Sequence, residues 1–179
     1  MHLPCHIYCL EVYKYVVVAH FVMKVLFVCT GNIFRSMSAE YCLKDYIVKN
    51  NIFGIEVASA GTSAIPDSMD PVVKNTLLSF KINPRKHKQR RINEKHFDKY
   101  DLVIAMHKNH QDFIMEHFGK RVPLFDEICY GEKVSVLDNN QLMPDWQDHM
   151  DAVNKYVEYT VQFIHRSIPL FVKNMRKFI

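Results

Sequence analysis

The stretch KVLFVCTGNIFRSMSAEYCLKDYI, Lys24 to Ile47, changes its hydrophobic period in mid-course. Val25 to Val28 form an unbroken apolar run, the pattern of a strand covered on both faces. Further on, Ala39, Cys42, Leu43, Tyr46 and Ile47 fall on one face of a helix. Between the two lies a loop, Cys29 to Arg35, which contains Gly31 and Asn32, the residue types that tolerate positive φ. A buried strand, a short loop and a helix in that order form the repeating unit of a parallel α/β sheet.

The rest of the chain extends the same alternation. Short strands are predicted at Ile55 to Ala58, Leu102 to Ala105 and Val122 to Leu124, and helices at Pro71 to Phe80 and Gln111 to His117. A last long helix carries its apolar stripe on Val153, Tyr156, Val157, Thr160, Val161 and Ile164, and Pro169 is expected to end or kink it. The economical fold is one parallel sheet with helices on both faces, its functional site at the carboxyl ends of the strands.

At 179 residues and 49% hydrophobic, the chain fits one domain with a real core. Its net charge of +4 falls short of a nucleic-acid footprint and is compatible with an anionic ligand. The five cysteines are odd in number and lack a C-x-x-C spacing, so neither a disulfide framework nor a zinc ribbon is indicated, and a reducing cytoplasm fits. Lys14, His20 and Lys24 interrupt the apolar stretch Val12 to Val28, which excludes a spanning helix. Residues 1–22 show no clean periodicity and only Lys14 as a basic residue. They are read as a leader arising from an upstream translation start, with the domain proper at 23–179.

The loop carries the chemistry. Successive backbone N–H groups between a strand and a helix amino end converge into an anion-binding nest. Arg35 adds a planar fork suited to two phosphate oxygens. A thiolate of Cys29 at the bottom of such a nest shares the stabilisation meant for the anion and is a nucleophile. A cysteine after a hydrophobic strand is more often a small core residue. The order of strand, glycine-bearing loop, arginine, hydroxyl and helix favours the nest. No Gly-Lys-Ser/Thr follows Gly31, so a Walker loop does not compete.

VLFVCTGNIFRSMSAE resembles the active-site loop of the low-molecular-weight protein tyrosine phosphatases. The similarity extends to SAGT at Ser59 to Thr62, HKQRRI at His87 to Ile92, FDKYDLVIAM at Phe97 to Met106 and PDW at Pro144 to Trp146. The resemblance implies a flavodoxin-like three-layer sandwich with a central four-stranded parallel sheet, no metal or other cofactor, and hydrolysis through a phosphocysteine. On that resemblance Cys29 is the nucleophile and Arg35 the phosphoryl clamp. The backbone of Thr30, Gly31, Asn32, Ile33, Phe34 and Arg35 forms the phosphate cradle, and Ser36 hydrogen-bonds the sulfur. Asp145 is the general acid, and Asn32, Ser59 and His87 support the loop. Phe34, Ile65 and Trp146 are candidates for the substrate cleft. The implied substrate is a phosphotyrosine-containing protein or a small aryl phosphate, hydrolysed in the cytoplasm, with no nucleic-acid partner.

Several positions depart from the family pattern. Phe34 stands where a second cysteine is frequent, Met37 replaces a proline, and Trp146 and Gln147 follow Asp145 in place of proline and an aromatic. Ile65 replaces an aromatic, and His107 an aspartate. An aspartate between a proline and a helix start is also an ordinary N-cap, which leaves Asp148 as the alternative acid. Two other functions are open. An arsenate reductase on the same scaffold would need relay cysteines, and neither Cys42 nor Cys129 is placed for that role. A nucleic-acid module would use the basic run from Arg85 to Arg91, which lacks an accompanying aromatic pattern.

Overall fold

The computed structural model describes residues 22–137 and 145–179, without the side chain of Trp146. The expectation for the leader falls on residues outside that description, apart from Val22. Among the described residues three strands, β1 (Met23–Cys29), β2 (Ile55–Gly61) and β3 (Leu102–Ala105), pair in parallel in the order β2-β1-β3. Six α-helices accompany them among the described residues: α1 (Arg35–Lys49), α2 (Pro71–Ser79), α3 (Lys95–Lys99), α4 (Lys108–Phe118), α5 (Phe125–Tyr130) and α6 (Met150–Asn174).

β1 is central, and its alternate side chains supply two separate cores. Val25, Phe27 and Cys29 join a cluster with α1, α2, α5 and α6, while Leu26 and Val28 join Ile114 of α4 and Tyr100 beside α3. This burial on both faces explains the continuous apolar run in the sequence. Helices therefore cover both faces, the three-layer α/β arrangement of the flavodoxin-like class. The expected fourth strand is reduced, among the described residues, to one parallel bridge between Ala105 and Leu124 and a bond from Ala105 N–H to the Pro123 carbonyl at 3.0 Å. Pro123 has no N–H to donate, and α5 begins at Phe125, so the chain has no room for a longer ladder there.

Two other expectations change. α5 was not legible as a helix in the sequence, because its six residues span less than two turns and show no period. Pro169 does not end α6, which continues to Asn174. Its far turns are anchored by fully buried Phe171, which stacks on Phe125 with ring centroids 5.8 Å apart. That packing outweighs the single helical hydrogen bond the proline cannot make. No described helix is long and apolar enough to cross a membrane.

Asp126 of α5 is buried, and its Oδ1 has no hydrogen-bond partner among the described residues. Burial, and secondarily Glu132, push its carboxyl from an ordinary 3.8 up to about 6. The folded state thus holds this proton more tightly than the unfolded chain. The penalty is absent below pH 3.8, grows between 3.8 and about 6, and is complete above. Asp126→Asn is accordingly expected to stabilise the protein by roughly 1–2 kcal/mol at pH 8. The gain in melting temperature should fade towards pH 4. A variant no more stable than the parent at pH 8 would contradict the uncompensated burial.

Candidate active site

The register of the sheet puts the site together. Cys29 pairs with Gly61 at the carboxyl ends of β1 and β2, and Val28 pairs with Ala105 at the end of β3. The loop after Cys29 leads directly into α1, whose first residue is Arg35. Gly61 is required by close approach: a Cβ there would lie 2.4 Å from the Thr30 carbonyl oxygen and 3.1 Å from the Asn32 nitrogen. The SAGT segment therefore serves as a floor against which the loop is pressed.

Cys29 is buried, its Sγ lying 3.0 Å from Ser36 Oγ. As a thiolate it accepts the Ser36 proton. Asn32 adopts φ 59°, whereas Gly31 does not take the positive φ expected of it. A non-glycine residue persists in this region only where its surroundings over-determine it. Asn32 meets that condition: its Nδ2 donates to Ser36 Oγ at 3.0 Å and to Ser59 Oγ at 2.7 Å. Its Oδ1 accepts from the Arg90 N–H at 3.0 Å, and its carbonyl accepts from His87 Nε2 at 2.6 Å. Burial pushes the His87 imidazole below its ordinary value, which suits a neutral ring donating through Nε2.

The support continues to a residue given no role by the sequence. Ser59 Oγ donates to Glu40 Oε2 at 2.5 Å, and Glu40, 2% exposed, also takes a bond from Lys44 Nζ at 2.5 Å. A chain of bonds thus runs from a buried carboxylate through Ser59, Asn32 and Ser36 to the sulfur. Glu40 lies four residues after Ser36, on the same helix face, a spacing that could have pointed to it. Gln89 Nε2 donates to the Gly31 carbonyl at 2.8 Å. The basic run 85–91 therefore braces the loop through His87, Gln89 and the Arg90 backbone, while Arg85 and Lys86 are exposed.

A cavity of about 240 Å³ opens above Cys29, lined by Thr30, Gly31, Ile33, Phe34, Arg35, Asp70, Val73 and Val157. Arg35 is 2% exposed, and its Nη1 donates to the Val136 carbonyl at 2.9 Å. That contact, 101 residues away in sequence, was invisible before folding. Asp70 caps α2, its Oδ1 accepting from the Val72 N–H at 2.6 Å. His110 of α4, likewise unpredicted, places Nε2 3.0 Å from Thr30 Oγ1 beside the cavity.

Not every candidate lines this cavity. Ile65 is 70% exposed in the irregular segment between β2 and α2. Asp145 is exposed at the start of a short 3₁₀ turn and takes a hydrogen bond from His149 Nε2 at 3.2 Å. Pro144 and the Trp146 side chain lie outside the described residues. Cys42 and Cys129 are buried free thiols, both pushed upward by burial. The described residues hold no cluster of three or more metal-ligating side chains.

A family model described as low molecular weight phosphotyrosine protein phosphatase matches residues 24–163. The chain belongs to this family. Among its relatives is a protein-arginine-phosphatase of Geobacillus stearothermophilus, 35% identical over 95 residues, which cover 53% of this chain and 62% of the relative. A low molecular weight phosphotyrosine protein phosphatase of Dictyostelium discoideum is 35% identical over 99 residues, covering 46% and 55% respectively. The matched segments thus span about half to three-fifths of these two relatives. The solved YwlE arginine phosphatase, in a mutant with a phosphorylated active-site serine, superposes with a TM-score of 0.73 at 25% identity. That superposition covers 87% of this chain and 97% of YwlE.

Proposed function

We propose that the protein is a cysteine-dependent phosphatase that hydrolyses aryl phosphate monoesters, phosphotyrosine foremost. The observation that carries the reading is Cys29 Sγ, 3.0 Å from the Ser36 hydroxyl, beneath a cavity that buried Arg35 also lines. The thiolate attacks phosphorus, the P–O bond to the leaving group breaks, and Asp145 gives its proton to the departing oxygen. Water then attacks the phosphocysteine, Asp145 takes its proton, and the S–P bond breaks. Ser36 stabilises the thiolate released. Arg35 and the loop amides hold the equatorial oxygens throughout.

The walls favour an aromatic leaving group. Ile33, Phe34, Val73 and Val157 are apolar and flank the cavity, and an aryl ring desolvates there without loss of a hydrogen bond. A second reading, phosphoarginine, is favoured by the Asp70 carboxylate in the same lining and by the arginine phosphatases among the relatives. The capping bond occupies one Asp70 oxygen, which weakens that case.

Parallel rates on p-nitrophenyl phosphate, a phosphotyrosyl peptide and a phosphoarginyl peptide separate the two. We expect kcat/KM for the aryl esters to exceed that for phosphoarginine by roughly 10-fold or more, since placing a cationic head in an apolar slot leaves donors unpaired. The opposite order would assign the protein to arginine dephosphorylation. Absence of turnover on all three would remove the phosphatase reading.

A further inference from the structure

Thr30 is exposed, lines the catalytic cavity next to Cys29, and is joined through its hydroxyl to a buried histidine. His110 is 4% exposed. Its Nε2 lies 3.0 Å from Thr30 Oγ1, and its Nδ1 is buried with no hydrogen-bond partner among the described residues. Burial first, then the Arg35 cation and the neighbouring His107 ring, hold its basicity at about 3, so the ring is neutral.

A neutral imidazole has one N–H to place. On Nδ1 it would be a buried donor with no acceptor, the rarest kind of orphan group. On Nε2 it is satisfied by Thr30 Oγ1, leaving only a bare lone pair on Nδ1. The Nε2–H form is therefore the one the packing selects. Thr30 Oγ1 then accepts from beneath, and its own proton is free for whatever occupies the cavity.

We propose that His110 is a positioning residue that fixes the Thr30 hydroxyl as a hydrogen-bond donor to an oxygen of the bound phosphate group. The proposal rests on the phosphatase reading given above and deepens it by naming a further side chain that binds the phosphate group. A phosphate ester offers its non-bridging and bridging oxygens as acceptors at this point. Phosphoarginine carries the same non-bridging oxygens and differs only at the bridging atom, an N–H donor where an ester has an acceptor oxygen. Thr30 thus adds a hydrogen-bond donor for the phosphate group to a lining that Arg35 and Asp70 share with the apolar Ile33, Phe34, Val73 and Val157.

Calorimetric titration of the full chain with inorganic phosphate tests this without turnover. Thr30→Val keeps the shape and removes the proton, and should weaken phosphate binding roughly 10-fold. Thr30→Ser should bind like the parent. His110→Leu should weaken binding to a similar degree, and the double variant Thr30→Val/His110→Leu should be no worse than Thr30→Val alone, since one removes what the other orients. His110→Gln, whose amide N–H reaches the same hydroxyl, should restore most of the loss. That rescue is a result general destabilisation of α4 would not give.

Unchanged phosphate affinity in Thr30→Val would overturn the proposal. So would additive losses in the double variant, or a His110→Gln protein as weak as His110→Leu. Should His110→Leu fail to fold, the Thr30→Val and Thr30→Ser pair and the His110→Gln variant still decide. A parent chain that binds phosphate through Thr30 yet hydrolyses no phosphomonoester would sink the phosphatase reading and leave the donor assignment standing. A parent that turns over aryl phosphate with Thr30 indifferent does the reverse.

Discussion

Cys29→Ser is expected to lower aryl phosphate turnover by at least roughly 10⁴-fold, the scale on which removing a nucleophile from a preorganised site acts. The substitution changes one buried atom. The Cys29 carbonyl still accepts from the Thr62 N–H at 2.9 Å, and the apolar strand before it is untouched, so the fold and the phosphate cradle should persist. What is lost is the thiolate, for which the Ser36 hydroxyl at 3.0 Å is the placed donor. Steady-state rates together with phosphate titration measure both halves. Turnover near the parent rate would eliminate the phosphocysteine route. Loss of phosphate binding along with turnover would mean that the sulfur holds the loop in shape as well as reacting.

Asp145→Asn is expected to slow hydrolysis of esters with poor leaving groups by roughly 10²- to 10⁴-fold, the contribution of a positioned general acid. Good leaving groups need less protonation and should suffer less in the first step. The assignment comes from the match of the PDW segment to the family, and the structure gives it rivals worth measuring. Asp145 is exposed and bonded to His149, whereas Asp70 lines the cavity while capping α2. A series of aryl phosphates of rising leaving-group pKa, run on Asp145→Asn, Asp148→Asn and Asp70→Asn, distinguishes the three. The acid is the residue whose loss steepens the dependence on leaving group. If that residue is Asp70 or Asp148, Asp145 is no more than the start of the turn before α6.

Local pattern determined much of this protein. The switch from an unbroken apolar run at Val25 to Val28 to a helical stripe from Ala39 to Ile47 is a short-range signal, set by which faces must leave water. It carried the α/β class and the position of the loop, and it put forward Cys29 and Arg35 as candidates, because those residues lie within one strand, turn and helix. The bond from Ser36 to the sulfur came through resemblance. Asn32, Ser59 and His87 came only through resemblance to a family, and the structure brings them into one hydrogen-bonded group.

Contacts between distant segments were decided by the tertiary fold alone. The parallel register that sets Cys29 beside Gly61 brings Glu40 under the loop, Gln89 against the Gly31 carbonyl, Val136 onto Arg35 and His110 onto Thr30. Glu40 aside, whose spacing from Ser36 was a local hint, none of these pairs has a period or a spacing that a linear reading can detect, since each joins elements whose approach depends on sheet order and helix packing. The same holds for Pro169. Its intrinsic preference to break a helix is a local effect, and the stacking of Phe171 on Phe125 in the core overrides it. The chain's short-range chemistry thus pointed to Cys29 as the proposed nucleophile, while packing across the sheet chose the groups that surround it.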